Sequence, residues 1–409
     1  MITKDKRPFF RKKVVIEGNC LFLVGPIGTF FARLSNYFEA NHVKTYKISF
    51  PLHEYGFPKS RLIKFNQDIY LFKNYLRKIL INKEIKHIFM YGNQLIPHRQ
   101  ALLLVEELAL EGINIKTHIF ELGYLRPDFV TLEKNGINFK SSFIKNRDFY
   151  LKQDSYEAFP IAKKYSRYRI RKIWKMISFI THCFKNYKIV QNDHKLQPKP
   201  IYIWYQVKGF FLKYFFILTE YKLKKKCFFD KNFFLVILQV STDSQLTEGS
   251  NIKNNQEFLY KVIKDFAKSN VDHNLVFKHH PRDRGYTNYS NNIEELSKEF
   301  GVYKKVFYIH DYLLSKLFKN SNCKGTVLVN STVGYQSLYN NVPLKSLGIA
   351  PYNIEGLADQ RNLVSFFKNP STVDKLLFNK FYKYILENSQ INGNFDGFFP
   401  FKNIFIFKK

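Results

Sequence analysis

Phe233-Phe234-Leu235-Val236-Ile237-Leu238-Gln239-Val240, followed at once by Ser241-Thr242-Asp243-Ser244-Gln245, settles the architecture of this chain. The first run is aromatic, aliphatic and β-branched, which reads as a central strand, and the small polar cluster marks its end. Downstream, residues 256–269 have the period of an amphipathic helix, and 274–278 form a strand ending at His279-His280-Pro281. A strand at 305–309, a helix at 312–319 and a strand at 326–329 follow, the last ending at Asn330-Ser331-Thr332. Residues 333–339 read as a helix and 343–347 as a final strand. Strands alternating with helices imply a parallel sheet covered on both faces.

The same texture occurs upstream. An apolar run at 20–24 leads into Gly25-Pro26-Ile27-Gly28, and residues 29–40 read as a helix with Phe30, Leu34, Tyr37 and Phe38 on one face. Strands are expected at 43–50, 86–91 (ended by Gly92-Asn93) and 116–121, with a helix at 100–110. The α/β chain is therefore expected to form two lobes with a cleft between them: 1–150 and 231–370, with a basic aromatic insertion at 151–230 and a C-terminal helix and tail at 371–409. No internal repeat is visible. Each polar motif falls at the carboxyl end of a strand, where open α/β sheets bind ligands.

A length of 409 residues fits two domains better than one. The net charge of +32 attracts polyanions: nucleic acid, anionic lipid or phosphorylated substrate. No RNA-binding signature, zinc-finger spacing or basic zipper accompanies it, so the phosphate and membrane readings are retained and nucleic acid is not expected. Residues 161–230 hold 17 Lys/Arg against 3 Asp/Glu, interleaved with Trp174, Phe179, Phe184, Tyr187, Trp204, Tyr205, Phe210, Phe211, Tyr214, Phe215 and Phe216. That mixture suits a helix lying in an anionic bilayer surface, or an ordinary helical insertion with a solvated basic face. No apolar run is long enough to span a bilayer, and the basic N-terminus lacks a signal-type stretch. Cys20, Cys183, Cys227 and Cys323 are scattered, which favours a reducing compartment over a disulfide framework or zinc site.

Four strand ends carry groups able to do chemistry. Ser331 and Thr332, with Gly334 opening a helix, can seat a phosphate on free backbone N–H groups, or simply cap the helix. Lys278, His280, Pro281 and Arg282 place positive charge and an imidazole on a restricted turn. Asp243 can serve as nucleophile, base or structural cap. Glu121, expected to face Asp243 across the cleft, would complete the carboxylate pair that glycosyl transfer uses, while Arg126 could hold a substrate carboxylate in a fork. Gly25 and Gly28 shape a turn assigned to the acceptor side. No D-x-D stands in a metal-binding context, so the phosphate charge is expected to meet Lys278, His280, Arg282 and a helix dipole, without a metal or other cofactor.

Together the stretches LFLVGPIGTFFARL, FELGYLRPDFVTLE, LQVSTDSQL, VFKHHPRDRG, NSTVGYQSL and the segment around Gly356-Leu357 resemble the bacterial capsule polysaccharide synthesis and modification family of the KpsS/LipB type. They are colinear with it over about residues 20–360; the region of residues 150–226 is less alike. The resemblance implies two Rossmann-like, GT-B-like lobes and a retaining β-Kdo transferase that moves Kdo from CMP-Kdo to lysophosphatidylglycerol or a Kdo-glycolipid in a Gram-negative capsule linker. It implies Asp243 as nucleophile, Glu121 as acid/base, His280 and Pro281 as the CMP-binding pair, and Ser331 and Thr332 on the donor phosphate or the Kdo carboxylate. It also implies a cytoplasmic protein, peripheral on the inner membrane, beside other capsule synthesis and export proteins. A relative using another CMP-sugar such as CMP-sialic acid, or a non-catalytic assembly component, are the alternatives.

Overall fold

The computed structural model describes residues 12–49, 56–126, 128–155, 163–164, 200–221, 223, 231–241 and 243–408. The described residues fall into two units. Unit 1 draws on Met1–Ser142, Ala158–Pro200 and Ile385–Lys409, and unit 2 on Phe143–Glu157 and Ile201–Tyr384.

In unit 1, β1 (Val14–Ile16) precedes β2 (Asn19–Phe22), β3 (Thr45–Ser49), β4 (Leu62–Lys64), β5 (Ile85–Tyr91) and β6 (Lys116–Leu122). The last five lie parallel in the order β4-β3-β2-β5-β6. Numbered from β2, that order is 3-2-1-4-5, the Rossmann arrangement, with the direction of winding reversing between β2 and β5. Helix α1 (Phe30–Glu39) buries Phe30, Leu34 and Phe38 on the predicted face. Helices α2 (Phe72–Asn82) and α3 (Ile96–Leu110) cover the sheet. Helix α3 starts earlier than residue 100 because Pro97 lies in its first turn, where no intrahelical N–H is needed. Strand β7 (Phe129–Glu133) then pairs antiparallel with β6.

In the larger segment of unit 2, α4 (Pro200–Thr219) is followed by β8 (Phe233–Ile237), α5 (Asn255–Ser269), β9 (Asn274–Lys278), α6 (Ser290–Glu299), β10 (Val306–Ile309), β11 (Cys323–Leu328), α7 (Val333–Tyr339), β12 (Leu344–Ser346), α8 (Leu363–Lys368) and α9 (Lys375–Ser389), whose last residues belong to unit 1. Its five strands are all parallel in the order β10-β9-β8-β11-β12, again 3-2-1-4-5 counted from β8. Every residue of β8 is buried, as a strand covered on both faces must be. Phe234, Val236 and Leu238 pack with Phe258, Val262 and Phe266 of α5 and Phe366 and Phe367 of α8. Each such side chain contributes about 1.5–3 kcal/mol when fully buried. Helix α5 is sealed at both ends: the Asn254 carboxamide accepts the Glu257 N–H at 2.9 Å, and Asn270 closes it in the left-handed region at φ 52°.

From Ile385 the chain rejoins unit 1 instead of forming a separate tail. β13 (Gln390–Asn392) pairs antiparallel with β7, and β14 (Phe405–Phe407) pairs parallel with β1. Part of the aromatic tail is core: Phe395 and Phe399 lie edge-on to Phe30, with ring centroids 4.8 and 4.9 Å away, while Phe398 is exposed. The Gln390 carboxamide oxygen accepts the Tyr124 N–H at 2.9 Å. The antiparallel pairings of β7 and β13 were not expected from the sequence. Within residues 151–230, Trp174, Phe179, Phe184, Tyr187 and Cys183 lie outside the described residues, as does Cys227.

Glu133, at the end of β7, is buried and accepts a hydrogen bond from the Ser141 hydroxyl. Burial raises its carboxyl to about 8, against weaker lowering by the Ser141 and Tyr124 hydroxyls. The acid is therefore protonated in the fold at neutral pH. Its contribution is full below the ordinary value of 4.5 and is lost as pH rises through about 8. Glu133→Gln should accordingly melt higher than wild type at pH 8 and alike at pH 4; equal midpoints at both would contradict a proton-loaded Glu133.

Candidate functional site

In unit 2 the winding reverses at β8, which lies between β9 and β11. The loops leaving β8 and β11 therefore diverge at their carboxyl ends and open a crevice, the position that ligands take in such sheets. The predicted donor-side residues emerge there: Asp243 from the loop after β8, His280 to Arg282 from the turn after β9, and Ser331 to Gly334 after β11. Thr242 lies outside the described residues.

Hydrogen bonds fix these three strand ends. Gln239 and Asn330 form a reciprocal pair between the β8 and β11 loops: Gln239 Nε2 donates to Asn330 Oδ1 at 2.9 Å, and the Asn330 N–H donates to Gln239 Oε1 at 3.2 Å. Asn255, at the start of α5, donates to the Gln239 carbonyl at 2.8 Å and to the Tyr289 hydroxyl at 3.0 Å. Asp283 ties the β8 loop to the β9 turn. Its carboxylate accepts the Ser241 N–H at 2.7 Å, the Ser241 hydroxyl at 3.1 Å and the Thr287 hydroxyl at 3.2 Å. Burial raises the Asp283 carboxyl, and those donors pull the other way. Asp243, two residues after Ser241, is half-buried, and its N–H donates to the Val240 carbonyl at 2.9 Å.

His280 is half-buried and its Nδ1 accepts the Arg282 N–H at 3.1 Å. That bond leaves the ring proton on Nε2, making Nε2 the donor nitrogen of the neutral ring. Pro281 and Arg282 are exposed. Lys278 is buried, and its ammonium donates to the His310 carbonyl at 3.2 Å, so it supports the loop after β10. Its neighbour His279 is also buried: Nδ1 faces the Tyr308 hydroxyl at 2.5 Å, while Nε2 has no hydrogen-bond partner among the described residues. Burial, and secondarily His310, lower the His279 ring to about 3, so it is neutral.

After β11, Ser331 Oγ accepts the Val333 N–H at 3.3 Å, and Thr332 makes no side-chain capping bond. Tyr352 donates to the Ser331 carbonyl at 2.7 Å. Its ring explains Gly334, since a Cβ there would lie 2.6 Å from a ring carbon. The glycine thus admits Tyr352, which holds the Ser331 loop in place.

Unit 1 presents its own switch-point edge. Gly25 follows β2, and a Cβ on it would meet the Phe31 ring at 2.6 Å; Gly28 sits at φ 118°, a conformation open to glycine alone at low cost. Both glycines therefore have packing or backbone reasons. Glu121, at the end of β6, is half-buried, and its Oε1 accepts the Leu122 N–H at 2.9 Å. Gly92 lies beside it, a Cβ there falling 3.5 Å from Glu121 Oε2. Arg126 is exposed, and its Nε donates to the Gly123 carbonyl at 3.1 Å.

Sequence reading missed Asp283, the Gln239–Asn330 pair, His279 and Tyr352. Asp283 stands between two arginines in a turn, and nothing local reveals that its partner lies 42 residues upstream.

The model of the capsule polysaccharide biosynthesis protein family matches residues 88–396. The chain is 33% identical over 411 residues to the capsule polysaccharide modification protein LipB of Neisseria meningitidis serogroup A / serotype 4A, covering 94% of both chains. It is 29% identical to the capsule polysaccharide export protein KpsS of Escherichia coli, over 91% of this chain and 95% of that one. Among solved structures, the Thermosulfurimonas dismutans KpsC beta Kdo 2,7 transferase is similar at a TM-score of 0.41 and 13% identity, over 90% of this chain and 99% of that one, too loose a likeness to speak to activity.

Asp283→Ala would strip the acceptor from one part-buried backbone N–H and two hydroxyls. Urea unfolding should show a loss of about 1–3 kcal/mol. An unchanged midpoint would mean that Asp283 does not clamp the two loops.

Proposed function

The chain belongs to the capsule polysaccharide biosynthesis protein family, and on that footing we propose that it is a glycosyltransferase using a CMP-sugar donor, CMP-Kdo, and an anionic lysophospholipid acceptor, lysophosphatidylglycerol. The observation that carries this reading is the convergence of Asp243, His280 and Ser331 on the carboxyl ends of three adjacent parallel strands at a switch point. Such a crevice suits a nucleotide, with backbone N–H groups and a histidine donor for its phosphate.

The proposed reaction retains configuration through two displacements. The Asp243 carboxylate attacks the anomeric carbon of the sugar, forming a sugar ester as the bond to the CMP phosphate oxygen breaks and CMP leaves. The acceptor hydroxyl then attacks the same carbon, releases Asp243 as carboxylate and gives its proton to a general base. His280, through Nε2–H, Arg282 and the Ser331–Val333 backbone stabilise charge on the departing phosphate. Pro281 shapes the turn that carries His280, and Thr332 and Gly334 extend the phosphate seat. Lys278 acts on this seat through the loop it holds. Arg126 is assigned to a substrate carboxylate, and the Gly25–Gly28 turn to the acceptor. The net positive charge of the chain raises the encounter rate with a doubly anionic donor.

The test is CMP release and glycolipid formation with CMP-Kdo and lysophosphatidylglycerol, read by mass spectrometry. Asp243→Ala should lower turnover by about 10³-fold or more while the protein stays folded. Near-normal turnover would remove Asp243 as nucleophile. Transfer from CMP-sialic acid with none from CMP-Kdo would replace the donor.

A further inference from the structure

Helix α4 has two unlike faces. One is held to unit 2 by specific contacts. Gly209 approaches Gly285 so closely that a Cβ on Gly285 would lie 2.0 Å from the Tyr205 carbonyl oxygen. Arg284, paired with Asp311, donates to the Gly209 carbonyl at 3.2 Å. Phe216 stacks on the His310 ring at 3.6 Å with the planes 3° apart. One turn on, buried Glu220 accepts from the His310 N–H at 3.1 Å and lies 2.6 Å from its Nδ1.

The opposite face is apolar and open to water. Leu218 is 77% exposed, Phe211 66% and Trp204 62%, and Phe210, Tyr214 and Phe215 are each more than half exposed. At one residue per roughly 100° of turn, these six fall in a single arc of about 140°. Lys208 lies just beyond one border of the arc and Lys213 beyond the other, both exposed. The helix contains no Asp or Glu, and four more lysines follow it at 222 and 224–226 in the sequence. Soluble surfaces scatter large apolar residues singly; a contiguous patch of them marks an interaction site.

We propose that α4 is an interfacial helix that seats this protein on an anionic lipid surface, with its aromatic arc among the headgroups and upper acyl chains. Trp and Tyr rings favour that depth, and lysines at both borders keep their ammonium groups beside lipid phosphates. Charge decides the occupant: a second copy would bring another +32, whereas an anionic bilayer is complementary. No described helix is long and apolar enough to cross a membrane, and the polar contacts of the docked face commit α4 to lying flat. The docking surface stands on its own geometry. Its consequence rests on the transferase reading. Arg284 and Gly285, which hold α4, follow His280 in the same loop, so the bilayer-bound helix and the donor turn move as one piece.

The experiment is co-sedimentation of the full chain with phosphatidylcholine vesicles, with and without phosphatidylglycerol, at low and high salt. Wild type should bind the anionic vesicles at least about tenfold more tightly than the neutral ones, and salt should weaken the binding. The double variant Phe211→Glu, Leu218→Glu changes side chains that already face water, so its circular dichroism and melting should match wild type. Its vesicle binding should fall by about tenfold or more. Lys208→Glu with Lys213→Glu should lower anionic-vesicle binding alone. Unaltered binding in the apolar double variant, no vesicle binding by wild type, or a wild-type dimer that this variant turns into a monomer would each overturn the proposal. Transfer to a detergent-dispersed acceptor should persist in that variant; a wild type that binds anionic vesicles but transfers no sugar to a detergent-dispersed acceptor would count against the transferase reading and not against the docking surface.

Discussion

The constraint from which the rest follows is the handedness of the crossover between parallel strands. On a given face of the sheet a right-handed crossover lets the chain wind in only one direction, so a chain that reverses direction must carry its next crossovers on the opposite face. Winding from β8 to β9 and β10, and then returning to β11 and β12 on the other side, forces the loops after β8 and β11 apart. The crevice between them is a product of topology. Evolution has only to place side chains on three loop tips, and these are the loops bearing Asp243, His280 and Ser331.

Rigid support then turns three loops into one surface. Asp283 binds the β8 loop to the β9 turn, Gln239 and Asn330 bind β8 to β11, and Tyr352 fixes the Ser331 carbonyl through the space that Gly334 leaves. None of these need touch a ligand. Their worth lies in denying the loops other arrangements, because a misplacement of about 1 Å at a reacting centre costs rate steeply. His310 does similar work at the outer edge: its carbonyl receives Lys278, and its ring is gripped by Phe216 of α4 and by Glu220 just beyond that helix.

Much of this was legible in the sequence, because local composition reports what lies within one element. The run at Phe233 announced a buried strand, the period at 256–269 announced α5, and the hydroxyls after Val329 announced a helix start. What was hidden is non-local. Lys278 read as positive charge for a donor phosphate, whereas it is buried and its ammonium serves a carbonyl 32 residues away. The tail read as an appendage and supplies β13, β14 and Phe395 to the core of unit 1, because pairing with β7 and β1 leaves no mark within the tail. The aromatic richness of residues 200–219 was plain, but the division of that helix into a gripped face and a bare one needed Gly285, whose role only its neighbour Gly209 explains.

The most direct test of the central claim is a crystal structure of the chain soaked with CMP at saturation. The account predicts the nucleotide over the carboxyl ends of β8, β9 and β11, its phosphate within hydrogen-bond reach of His280 Nε2 and the backbone N–H groups that follow Ser331. CMP bound only in unit 1, or on another face of unit 2, would contradict it.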